Sequence, residues 1–62
     1  MDIQGLITAL KATAMTGAQI NALDNSYLCQ NPAIAVQQIR ALGVQLTVTT
    51  DGSGDALYKV AT

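Results

Sequence analysis

The chain has 62 residues, with Lys11, Arg40 and Lys59 set against Asp2, Asp24, Asp51 and Asp55, no Glu and no His, for a formal charge of −1. A domain of this size buries only about 60% of the surface that its unfolded chain exposes, so it holds one small core. The single Cys29 has no disulfide partner and no His to complete a four-ligand zinc site, and the usual nucleophile and base pairs cannot be assembled. The expectation is therefore a protein without metal, cofactor or enzymatic activity.

In the first segment Ile3, Leu6, Ile7 and Leu10 recur at i, i+3, i+4 and i+7. This is the stripe of an amphipathic helix, predicted over about residues 3–13, with Asp2 placed to cap its positive end. The stretch MDIQGLITALKATAM is too polar and too broken to span a membrane, and it lacks the basic segment that opens a secretory signal. With one unpaired Cys, this fits a reducing, cytoplasmic setting.

Next comes TGAQ, Thr16 to Gln19, a capping box with Met15 and Ile20 at the staple positions. It predicts a second helix over about 17–24 that buries Ile20 and Leu23. DNSYLCQ then reads as a loop whose Tyr27 and Leu28 fold back onto the core, with Cys29 as a small buried apolar residue.

NPAIAVQQIRALG carries marks for both ends of a third helix over about 32–42. Asn31 can cap, Pro32 suits the first position, and Gly43 can take the left-handed conformation that stops the helix. Around its axis Ala35, Ile39 and Leu42 cluster on one side, beside Pro32 and Val36. Ala33, Ile34, Gln37, Arg40 and Ala41 lie opposite. After Gly43 the period changes to two: Val44, Leu46 and Val48 alternate with Gln45, Thr47 and Thr49. A first strand over about 44–49, a turn at TDGSGD and a return strand over about 56–61 make a hairpin. DGSGD lacks the ligand spacing and closing Glu of a calcium loop.

The order helix, helix, helix, hairpin gives an α+β domain filling residues 1–62. It resembles the winged helix-turn-helix family, three helices followed by a two-stranded β-hairpin wing. The residues that carry the likeness are MTGAQI, PAIAVQQIRALGVQLTV and GSGDALYKV. Biotin-operon-type repressor domains and small phage regulators share this grammar, and PAIAVQQIRAL is similar to the recognition helix of LysR-type regulators. The segment from Leu23 to Asn31 is longer than the family's tight turn. Asp51 and Asp55 stand at the wing tip where DNA-binding members often present Arg or Lys.

The resemblance implies a bacterial or phage-type transcription regulator whose third helix enters the major groove of double-stranded DNA. Gln37 and Arg40 would then read bases, Ala33 or Ile34 would lie against a thymine methyl, Asn31 and Thr16 would position the backbone, and Lys59 would support the wing. Three cations neutralise few phosphates, so a single chain would bind weakly and a homodimer or partner would help. The alternative is a protein-interaction module, an adaptor or inhibitor of another regulator. It would use the same charge-poor helix face, led by Ile34.

Overall fold

The apolar stripe of the first segment folds as α1 (Ile3–Ala12), burying Leu6, Ile7 and Leu10, and the Asp2 carboxylate accepts from the Gly5 amide at 2.8 Å. The computed structural model describes residues 1–61, and among them are four helices and a three-stranded antiparallel sheet. None of the helices is long and apolar enough to cross a membrane.

β1 (Met15–Thr16) leads directly into α2 (Gly17–Asn21), and the capping box forms in full. The Thr16 hydroxyl accepts from the Gln19 amide at 3.2 Å, while the Thr16 amide donates to Gln19 Oε1 at 2.9 Å. α2 is shorter than its predicted span to residue 24. Ile20 is buried, but Leu23 lies beyond the helix and is exposed. A five-residue helix presents one apolar position to the core, so the next in the period is left outside.

The expected loop contains a further helix, α3 (Tyr27–Gln30). Asp24 Oδ1 accepts from the Ser26 amide at 2.9 Å, the Ser26 hydroxyl caps the Cys29 amide at 3.4 Å, and Gln30 Nε2 ties back to the carbonyls of Asn21 and Asp24. The single turn puts Cys29 in the core and Leu28 against it. Tyr27, at the first helical position, points away and is 64% exposed, contrary to its expected place in the core.

α4 (Pro32–Ala41) follows with Pro32 at its start and buries Ala35, Val36 and Ile39. Asn31 occupies the cap position, but its side chain does not bond to the helix amides; Nδ2 donates instead to the Tyr27 carbonyl at 2.8 Å. Gly43 has φ +82°, the left-handed conformation that only glycine adopts without strain, and it turns the chain into the sheet. Leu42 is the C-cap, still in αR conformation with its amide on the Gln38 carbonyl, but it lies at the helix end and is 56% exposed rather than part of the core.

β2 (Leu46–Thr50) and β3 (Ala56–Val60) pair in continuous register from Leu46 opposite Val60 to Thr50 opposite Ala56. β1 adds to the far side of β3, Met15 opposite Tyr58, so the strand order is β1-β3-β2 and the sheet has three strands rather than two. Leu46 and Val60 close the core with Leu6, Leu10, Ile20, Cys29 and Ile39.

Candidate functional site

Helix periodicity sets the outward face of α4. With one side given to Ala35, Val36 and Ile39, the residues one and two turns apart on the other side are Ala33, Gln37, Arg40 and Ala41, and all four are exposed, with Gln38 beside them. Small Ala side chains at both ends leave the amide of Gln37 as the prominent polar group, since Arg40 starts from this face but turns its guanidinium to β2. Ile34 is half-buried at the border of this face, not fully outward as the sequence suggested.

The N-terminal ends of α2 and α4 meet. A Cβ placed on Gly17 would lie 3.9 Å from Pro32 Cγ, so Thr16 and Asn31 belong to one end of the helix pair. Thr16 is engaged in its capping box, which positions the start of α2, while the Asn31 side-chain amide ties the start of α4 back to the Tyr27 carbonyl of α3. Tyr27 stands exposed beside the start of α4, a surface aromatic rather than the core residue expected from the sequence. The Asp24-x-Ser26 spacing is the signal that could have found this turn, since Asp accepts readily from the amide two residues on.

The cations are not gathered on this face. The Arg40 guanidinium donates to the Leu46 carbonyl at 3.2 Å, bridging α4 to β2. Lys59 donates to the carbonyls of Lys11 at 2.6 Å and Leu10 at 3.5 Å, fastening β3 to the C-terminal end of α1, where a cation offsets the negative end of the helix. Lys59 thus supports the sheet from α1 and not the hairpin tip. At that tip Asp51 Oδ1 accepts from the amides of Ser53 and Asp55, at 2.9 and 3.0 Å, which makes Asp51 a turn-forming residue.

An open cleft of about 290 Å³ lies beside the start of α2, lined by Thr16, Gly17, Ala18, Asp55, Ala56 and Tyr58. Its ionisable groups are the Asp55 carboxylate and the Tyr58 phenol. The groups with displaced pKa values lie elsewhere. The Met1 α-amino group, 2.8 Å from Asp24, together with the bonds from Ser26, holds Asp24 well below the usual carboxylate range. Asp24 in turn raises the amino group above its ordinary value. Among the described residues no three His, Cys, Asp or Glu side chains cluster as metal ligands would.

Comparison of the chain with protein-family models, with curated proteins and with solved structures gives no match.

Proposed function

We propose that the chain is a winged helix-turn-helix module of a transcription regulator, with α4 as the helix that enters the major groove of double-stranded DNA. The observation that carries this reading is the outer face of α4, where Gln37, Gln38 and Arg40 stand exposed between two alanines, at a helix whose N-terminal end is braced by the start of α2. A bidentate amide such as Gln37 suits adenine, and Arg40 suits guanine or phosphate. The chain order and the strand order β1-β3-β2 agree with the same reading, the hairpin taking the place of the wing.

Affinity per chain is low in this scheme. Arg40 and Lys59 already serve carbonyls of their own chain, which leaves Lys11 of the three cations, so about one phosphate contact remains, contributing about −0.9 to the salt slope. The test is titration of the isotope-labelled protein with a short duplex at low and at near-physiological salt. Amide shifts confined to Asn31, Ala33, Gln37 and Arg40, weakened by Gln37→Ala, support the reading. No shift at low salt, where nonspecific binding is strongest, overturns it. Asp55→Lys sharpens the test. The Asp55 side chain is not part of the turn bonds, so the substitution should tighten binding and steepen the slope by about 0.9.

A protein partner is the second reading, favoured by the self-engaged cations and by the exposed Tyr27 and Leu42. Ile34, half-buried at the border of the outer face of α4, would lie at the edge of such a contact. In this case Leu42→Asp, and not Gln37→Ala, would abolish binding to the partner.

A further inference from the structure

We propose that β2 is a self-pairing edge, on which a second copy of the chain lays its own β2 antiparallel about Val48 to make a two-fold dimer with a six-stranded sheet. The inference goes beyond DNA binding and does not rest on it.

The sheet has two edges of unequal kind. β1 exposes a two-residue edge, too short to template a strand. β2 is five residues long and pairs with β3 one to one without a bulge. Its sequence LTVTT contains no charge and no Pro, the devices that usually blunt an edge. Thr47, Val48, Thr49 and Thr50 are all exposed.

The direction of the free backbone groups follows from the ladder. The Asp51 amide donates to the Asp55 carbonyl and the Ala61 amide to the Gln45 carbonyl. Hydrogen-bonded pairs alternate along an antiparallel ladder, so odd-numbered residues of β2 bond to β3 and Leu46, Val48 and Thr50 turn their amides and carbonyls outward. The Arg40 contact confirms the sense, because it reaches the Leu46 carbonyl from outside the hairpin.

These outward groups are self-complementary. Antiparallel pairing centred on Val48 sets Val48 opposite Val48 of the second copy, and Leu46 opposite Thr50 at both ends, each pair exchanging two backbone hydrogen bonds. The Leu46 carbonyl has a second lone pair and can keep Arg40 as well. The charges also match: Arg40 sits at the Leu46 end and Asp51 follows Thr50, so each guanidinium comes beside an Asp51 carboxylate of the other copy. α4 packs on β2, and the buried Leu46 marks that end of the strand. The two helical layers therefore stand at opposite ends of the joined strands and leave the middle clear.

The experiment is sedimentation of the full chain from micromolar to millimolar concentration, without DNA, paired with amide hydrogen exchange. The expected result is a concentration-dependent dimer in which the Val48 and Thr50 amides become protected as it forms, while Thr47 and Thr49 are protected throughout. Val48→Lys puts two ammonium groups opposite each other and should weaken the dimer about tenfold or more. Circular dichroism checks its fold, and Thr50→Lys serves the same purpose if that variant is unfolded. A chain that stays monomeric at millimolar concentration overturns the proposal. So does a dimer that survives both folded variants, or one whose new protection falls outside β2.

Discussion

Val60 and Val48 are the same residue type on the same face of the same hairpin, yet Val60 is fully buried and Val48 is 44% exposed. The difference is where the helices end. At the Leu46–Val60 end the strands are held by side chains packed under α1 and α4. At the Thr50–Ala56 end they are held by backbone bonds and by the Asp51 carboxylate that closes the turn. One ladder therefore has two kinds of support, and each should respond to its own kind of damage.

The largest effect is expected at the packed end. Val60→Ala removes buried methyl groups and leaves a small cavity, costing about 2–3 kcal/mol in chemical denaturation, a large share of the stability of so small a domain. Gly43→Ala comes next. A Cβ there meets nothing within 4 Å, so the cost is that of holding an L side chain at φ +82°, about 1–2 kcal/mol, read in the same experiment. At the tip, Asp51→Ala removes two bonds to backbone amides and should cost about 1 kcal/mol, with faster hydrogen exchange concentrated at Ser53 to Ala56 and the core amides nearly unchanged. Asp51→Asn keeps the accepting oxygen and should recover most of the loss. Val48→Ala, the counterpart of the first substitution, should cost no more than about 0.5–1 kcal/mol, the strand-propensity term alone. A cost equal to that of Val60→Ala would erase the distinction between the two ends.

The smallest effect concerns pH. Asp24 is held below its ordinary pKa in the folded chain, so its contribution is present above the usual carboxylate range and is lost as pH falls through the lowered value. The Met1 amino group is raised, so its contribution is present below its ordinary value of 8.0 and is lost as pH rises through the folded one. Asp24→Asn should flatten both limbs of a stability-against-pH curve. Both groups are partly exposed, and the change should be slight beside the core variants.

Much of this architecture is legible in the sequence because it is local. The Asp2 cap, the Thr16 box, the Gly43 stop and the change of period after it each need only a few neighbouring residues. The outward ridge Ala33, Gln37, Arg40 follows from helix arithmetic. What escaped reading is either too short to show a period, such as α3 and β1, or depends on where an element stops. Leu42 follows the period of the buried side, yet it stands at the helix end and is exposed. The engagement of Arg40 with Leu46 and of Lys59 with the end of α1 joins residues brought together by folding, and no spacing in the chain announces it. That is why the candidate face was readable while its supply of free charge was not.

Cys29 has a further use. Its thiol is fully buried, 3.8 Å from Met1 Sδ, on a single helical turn held by Ser26 and Gln30. An alkylating reagent can reach it only when that turn lifts away or Met1 moves aside. The chain thus carries its own clock: under native conditions the labelling rate counts how often this cover opens, and at high denaturant it reports the whole fold, with no label or probe to engineer.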